Sequence, residues 1–400
     1  MNNSNKIQEL RKIKSRINWM SEHKINAFSP TIAPAPKSVE RREIESIYEG
    51  LRFYVRNGVH DIVVQKKYMG SYCDIYLHKD LDATYFVSRN GHKIEHINLT
   101  EAKLACEELY NRFDWSYLEL VIIQAELMPW NVLGKGLIEN EFEGYLNAHK
   151  ERLAFIQGSG LMEKLLKVRS GGVFTAFESD RKELRGAAFK AKYPTHVVRQ
   201  YNALKDLDLP DTEAYATGIN IFETQVTHYG KESAIYFKPF NILKKIYADG
   251  REEILNSNHT YTEVNDDKMK VLHLHTEEEI AEKAAAIYEW FNSLSGEMEE
   301  GVVIKPAQAF IKNMPPAFKV RNNQYLTMIY GIHFQNELDR QIKKRSIRAK
   351  LSCSINDWAI NYQLLSVPYR EISPENYYYK NLVLDRILEE EAEGQLDPAL

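Results

Sequence analysis

Residues 318–321 read Phe-Lys-Val-Arg, and this alternation constrains the fold more than any other stretch. In an extended strand successive side chains point to opposite faces, so Phe318 and Val320 share one face and Lys319 and Arg321 share the other. Such a strand needs a core on one side. On the other it needs water or an anion, because two adjacent cations against an apolar backing are costly unless something negative meets them. A polyphosphate suits that second side. The stretch Glu300-Gly301-Val302-Val303-Ile304-Lys305-Pro306 has the same character: Val302 and Ile304 share one face, Val303 and Lys305 the other.

Three earlier segments add chemistry. Lys67 opens Lys67-Tyr68-Met69-Gly70-Ser71, directly after the apolar run Ile62-Val63-Val64, so a lysine is followed by a glycine-bearing turn that can present its amine at close range. Glu126 ends an apolar strand in Glu126-Leu127-Met128-Pro129, and Phe237-Lys238-Pro239-Phe240 supplies aromatics. A solvated lysine, an open sheet face and a core aromatic are the plain readings of these segments taken singly. Together they provide an amine, two carboxylates, an aromatic and three cations on strands, which is the equipment for nucleotidyl transfer to lysine. A lysine amine attacks only when unprotonated, and burial with nearby cations favours that state. Mg²⁺ balances a triphosphate through carboxylates and water, fixed cations hold the phosphoryl oxygens, and an aromatic stacks on the base.

The rest of the chain sets the frame. Its 400 residues can bury a sizeable core. The net charge of −4 does not mark a nucleic-acid binder, yet residues 143–205 hold twelve Lys/Arg against six Asp/Glu, and Lys343 to Lys350 hold five basic residues in eight. Each patch reads either as a phosphate-following surface or as an ordinary solvated helix face. Three cysteines at no metal-type spacing fit a reducing cytoplasm. No apolar run reaches membrane-spanning length and the N-terminus lacks a signal-peptide core, so no membrane association is expected.

Short basic helix over 5–20, proline-rich connector or extended arm from Ser29 to Pro36, helix over 38–56, strands over 60–98, helix near 101–113 and strand Leu118–Ala125 make up the expected first half. Helices follow from about 138 to 205, then strand-like text over 214–248, a helix over 277–295 capped by Thr276 and Glu279, strands at 301–305 and 317–321, and a mainly helical 323–400 with an acidic end. The expected organisation is an N-terminal helical arm over 1–58, core over 59–137 and 211–322, helical insert over 138–210 and helical C-terminal module over 323–400.

The ordered segments resemble motifs I, III, IIIa, IV and V of the covalent nucleotidyltransferase superfamily, the ATP-dependent ligases and mRNA capping enzymes. Ser88-Arg89-Asn90-Gly91 resembles motif Ia. The form Lys-Tyr-Met-Gly-Ser departs from the common Lys-x-Asp-Gly, with Met69 in place of the aspartate and Tyr72 where arginine is frequent. That form, the insert and the C-terminal module resemble the ligase module of bacterial polynucleotide kinase-phosphatase RNA repair enzymes, here as a stand-alone subunit. The resemblance implies an α+β fold: a nucleotidyltransferase (ATP-grasp-like ligase) core of antiparallel sheets around an ATP cleft. It implies an ATP-dependent RNA ligase that joins 5′-phosphate and 3′-OH RNA ends, cleaved tRNA being one candidate, through AMP linked to Lys67. By the same resemblance Arg89 contacts AMP or the RNA end, Glu126 binds ribose, Phe240 (or Phe237 or Tyr236) stacks on adenine, Glu300 positions Mg²⁺ or Mn²⁺, and Lys305, Lys319 and Arg321 hold phosphates. Lys66 is a neighbouring charge. The implied partners are a kinase-phosphatase and a Hen-type 2′-O-methyltransferase. The rival readings are a DNA ligase, a GTP-dependent capping enzyme, and a non-catalytic nucleotide-binding scaffold of a repair complex, the last motivated by Met69 and Tyr72.

Overall fold

A computed structural model describes residues 3–28, 30–133, 141–207, 211–229 and 234–400. Helix α1 (Asn3–Glu22) leads to strand β1 (Ala33–Pro34), helix α2 (Ile47–Arg56) and strands β2 (Asp61–Lys67), β3 (Ser71–His78) and β4 (Tyr85–Ser88). Short helices α3 (Leu99–Leu104) and α4 (Glu107–Tyr110) precede the long strand β5 (Leu118–Met128). Six helices follow: α5 (Glu143–Gly158), α6 (Leu161–Ser170), α7 (Gly172–Glu183), α8 (Gly186–Lys192), α9 (Thr195–Asp206) and α10 (Thr212–Tyr229). Next come β6 (Tyr236–Tyr247), β7 (Glu252–Ile254), α11 (Tyr261–Val264), β8 (Lys270–His273), α12 (Glu277–Gly296), β9 (Gly301–Pro306) and β10 (Phe318–Arg321). Helices α13 (Asn323–Tyr330), α14 (Phe334–Lys344), α15 (Arg348–Ser366) and α16 (Tyr377–Glu393) finish the order.

The strands form two five-stranded sheets, β1-β10-β9-β2-β8 and β4-β3-β5-β6-β7. Their ladders are antiparallel except for β1 against β10. In the first sheet Val302, Ile304, Phe318 and Val320 are buried in a core shared with α2 and α12. That burial leaves the alternate residues of β9 and β10 for the opposite face. The second sheet is covered on both sides: Ile75, Val121 and Ile123 belong to one cluster, Tyr76, Leu120 and Ile122 to another built with α1, α15 and α16. Burial on two faces explains why β5 reads as an almost unbroken apolar run.

Helix α12 starts at a capping box of Thr276 and Glu279 and buries Ile280, Ala284, Ile287 and Leu294, as its periodicity implied. Three expectations need correction. Residues 212–229 are helical, although their β-branched and aromatic content reads as strand. Tyr215, Ile219, Phe222 and Val226 fall on one helical face, packed with Leu146 of α5 and with Tyr325 and Met328 of α13, and that contact overrides local propensity. The helix expected over 38–56 begins only at Ile47, capped by Ser46. The one expected near 101–113 is two short pieces. Of the two readings of the proline-rich segment, the extended one fits Ala33 and Pro34, which pair with Phe318 and Lys319. Ser29, the insert's proposed start at 138 and its end at 210 lie outside the described residues.

Candidate active site

The two sheets face each other across a cleft of about 830 Å³. Lys67, Arg89, Glu126, Phe240, Glu300, Lys305, Lys319 and Arg321, picked from segments far apart in the chain, all line it.

Lys67 ends β2, opposite Gly301 in the ladder with β9. Its Nζ donates to Glu300 Oε2 at 2.7 Å, and the Glu300 side chain is only 3% exposed. Lys67 is thus a paired, partly buried amine and not a free surface lysine. Gly301 is required by close approach: a Cβ there would stand 2.0 Å from the Val320 carbonyl oxygen. Gly70 is required likewise, since a Cβ would meet Glu126 Cγ at 2.5 Å and the Leu127 carbonyl at 2.6 Å. The glycine in Lys-Tyr-Met-Gly lets the turn lie flat on β5 and brings its amide to the Glu126 carboxylate.

Burial pushes the Glu126 carboxyl up to about 7; Lys67 opposes this and Glu300 adds to it. Burial pushes Lys305, on β9, down to about 7, with Glu126 opposing. Lys319 is pushed well below the usual lysine range by burial, then by Arg321, with Glu45 opposing and with Lys67 and Lys350 adding to the push. The cleft therefore holds strongly interacting groups in a desolvated setting, the pattern expected where charge develops in a reaction.

Arg321 differs from the lysines. Its Nη2 donates to Glu45 Oε1 at 2.5 Å, its backbone amide donates to Glu45 Oε2 at 2.8 Å, and Arg345 Nη2 reaches the same carboxylate at 2.7 Å. Glu45 is fully enclosed, and although burial would raise its carboxyl, Arg321 and Arg345 hold it below the usual range. The anion that the Lys319/Arg321 face demanded is thus in part a residue of the chain itself.

Phe240 lines the cleft with Lys305 Nζ 4.5 Å from its ring centroid, whereas Phe237 stacks on Phe86 at 4.9 Å within a core cluster. The two sequence departures have structural reasons. Met69 is buried in the apolar cluster that joins α5, α10 and α13, where an aspartate would lack a partner. Tyr72 donates from its hydroxyl to Asp74 Oδ1 at 2.5 Å and accepts from Gln124 at 2.9 Å. Lys66 pairs with Glu299 at 2.6 Å.

Four residues that sequence reasoning missed stand at the cleft or behind it: Glu45, Thr31, Lys350 and Glu393. Lys350 belongs to the basic run 343–350, which is not a solvated face throughout, since Arg345 and Lys350 are buried in ion pairs. Nothing local in the sequence signals Glu45, whose partners come from the far end of the chain.

Among the described residues no group of three or more His, Cys, Asp or Glu side chains could hold a metal ion. Of the carboxylates that line the cleft, Glu126 and Glu300 are the two that interact with Lys67. Two carboxylates suit Mg²⁺, which keeps several waters and takes other ligands from phosphates. No described helix is long and apolar enough to cross a membrane.

Residues 15–371 match the family described as the PNKP adenylyltransferase domain, ligase domain. The chain is similar to a chain in a solved structure of the Pnkp1/Rnl/Hen1 RNA repair complex, with 52% identity and a TM-score of 0.92 over 98% of this chain and 99% of that one. A second structure of the Pnkp1/Rnl/Hen1 complex matches at 52% identity, with a TM-score of 0.90 over the same shares. Comparison with curated proteins found no match. With a family match across most of its length and a cleft built around a partly buried lysine–glutamate pair, the chain belongs to the PNKP adenylyltransferase (ligase) domain family.

Proposed function

We propose that the chain is an ATP-dependent RNA ligase subunit that joins 5′-phosphate and 3′-OH RNA ends through a lysyl-AMP intermediate. The observation that carries this reading is the Lys67 amine, held on Glu300 at 2.7 Å in a cleft shared with Lys305 and Lys319. Similarity to a chain of an RNA repair complex supports RNA as the substrate. It also supports a kinase-phosphatase and a Hen-type methyltransferase as partners.

In the first step Lys67 Nζ attacks the α-phosphorus of ATP, the bond to the leaving oxygen breaks, and pyrophosphate departs. Glu300, hydrogen-bonded to the amine, is placed to receive its proton. Lys305 and Lys319 hold phosphoryl oxygens as charge builds on the leaving group. Glu126 binds the ribose hydroxyls, and Phe240 stacks on adenine. Arg321 contributes mainly by anchoring Glu45 and Lys319's strand. Mg²⁺ or Mn²⁺ on the triphosphate would supply charge neutralisation, with Glu300 and Glu126 holding it through water. In the second step a 5′-phosphate oxygen of the RNA attacks the adenylate phosphorus and Lys67 leaves as the amine. In the third a 3′-OH attacks that 5′-phosphate and AMP leaves. We read 59–137 and 211–322 as the catalytic core, 1–58 as an arm, 138–210 as an insert and 323–400 as the C-terminal module.

The test is incubation with α-phosphate-labelled ATP and Mg²⁺, a denaturing gel and peptide mapping. Label on the Lys67 peptide is expected. ATP binding without label would move the protein to the scaffold reading. Preference for GTP, or for nicked DNA over RNA in a later sealing assay, would move it to the capping or DNA ligase reading.

A further inference from the structure

The cleft contains a second anion position, built on residues to which the chemistry above, Arg89 apart, gives no role. Thr31 Oγ1, Arg89 Nη2 and Lys350 Nζ all donate to one oxygen, Oε1 of Glu393. Glu393 ends α16, and the chain beyond it lies along the cleft wall, where the Ala399 carbonyl accepts from Arg321 Nη2 at 2.8 Å. The position is built from distant parts of the fold. Thr31 is 1% exposed; its carbonyl accepts from Ser354 Oγ at 2.7 Å and its amide donates to Asp357 at 2.9 Å, both on α15. Arg89 also donates to Thr31 Oγ1 at 2.9 Å. The Lys350 side chain is 8% exposed, in the same helix that holds Thr31.

Charge balance marks Glu393 as a replaceable occupant. As at Glu45, two cations meet one carboxylate and leave one positive charge over, but here the Arg89 side chain is 46% exposed at the cleft, where an outside anion can reach it. A terminal phosphate brings close to two negative charges and three acceptor oxygens for the three donors. The position also communicates with the reacting centre, because Lys350 is among the cations that depress Lys319. Burial would raise the Glu393 carboxyl, but Arg89, with Lys350 and Thr31, holds it down at about 2, so it stays an anion at any working pH.

We infer that Thr31, Arg89 and Lys350 form a phosphate subsite of the cleft, and that Glu393 occupies it internally until a phosphate group displaces it. Displacement would carry residues 394–400 away from Arg321, so the same event unplugs the cleft. The inference rests on the ligase reading of the Lys67 site. The phosphate has two sources with the same chemistry, the 5′-phosphate of an RNA strand and the distal phosphates of ATP.

The test uses the full chain and its Lys350→Gln and Glu393→Gln variants. Two quantities are measured: the ATP concentration dependence of Lys67 labelling, and the affinity for a short single-stranded RNA carrying either a 5′-phosphate or a 5′-hydroxyl. Lys350→Gln is expected to weaken the phosphate ligand about tenfold, the loss of one charge-assisted hydrogen bond. Glu393→Gln is expected to tighten it about threefold to tenfold, because the competitor is weakened. Loss of the preference for 5′-phosphate, with ATP dependence unchanged, assigns the subsite to RNA. A shifted ATP dependence with the RNA preference intact assigns it to ATP. If both variants alter only thermal unfolding, the contacts are structural and the inference is overturned. Should Glu393→Gln not fold, Glu393→Asp withdraws the carboxylate by one methylene and reports on the same competition. Failure of the ligase reading appears separately, as absence of Lys67 label in the parent chain.

Discussion

Two buried groups of charges lie within the reach of β10, and they are built to opposite ends. Around Glu45, Arg321 and Arg345 close on one carboxylate from two directions, and every charge has a near partner. Around Lys67 and Glu300, the neighbouring Lys305 and Lys319 are desolvated and pushed towards neutrality, and Glu126 is pushed the same way from the acid side. A closed ion-pair group holds the strand. An open one tolerates a cost that an incoming phosphate chain would offset. Residue type does not distinguish them; direct hydrogen bonding of each guanidinium to one buried carboxylate does.

The sharpest way to break the contrast is Lys67→Ala. Labelling by ATP should fall by at least about ten-thousandfold. Because Lys67 is the partner of a nearly buried Glu300, a modest fall in thermal midpoint should accompany it. Persistent label would place the nucleophile elsewhere. Glu45→Ala addresses the closed group: it strands two guanidinium ions and should cost about 3–5 kcal/mol in denaturant unfolding. A cost below about 1 kcal/mol would mean that water reaches the arginines and the group is not closed.

Lys319→Ala should slow adenylylation about a hundredfold in single-turnover labelling. Lys66→Ala, which removes a pair with Glu299 and a contact with the Tyr68 ring, should stay within about threefold. Equal effects would undo the assignment of the cleft-facing side of β10.

The smallest effect concerns pH. The proposed chemistry has Lys305 charged and Glu126 ionised, and burial pushes both to about 7 from opposite directions. Lys305 loses charge as pH rises through that value, and Glu126 loses charge as pH falls through it. KM for ATP should therefore be lowest near neutrality and rise severalfold on either side between about pH 6 and pH 9. Lys305→Arg, which stays protonated, should flatten the alkaline limb alone. An unchanged limb would remove Lys305 from phosphate binding.

Legibility followed the range of the signal. The faces of β9 and β10, the capping box of α12 and the apolar run of β5 were readable because each depends on residues within one element. Helix α10 misled because aromatic and β-branched residues were counted before their period was, and its packing against α5 and α13 decided the matter. The basic run at 343–350 was only half legible, because two of its cations turn inward to carboxylates that no local pattern could announce.

By sequence alone, the order of a lysine turn, two carboxylate-bearing strands and a cationic strand pointed to one ligase family and one cleft. That order survives translation into words because side-chain alternation is a local property of an extended backbone. Only the tertiary structure decided which charges are already spent. Glu45 lies 276 residues from Arg321, and Glu393 lies 43 residues from Lys350 and 304 from Arg89. Counter-ions that meet only after folding leave no periodic trace in the chain, so the distinction between a structural cation and a working one belongs to packing.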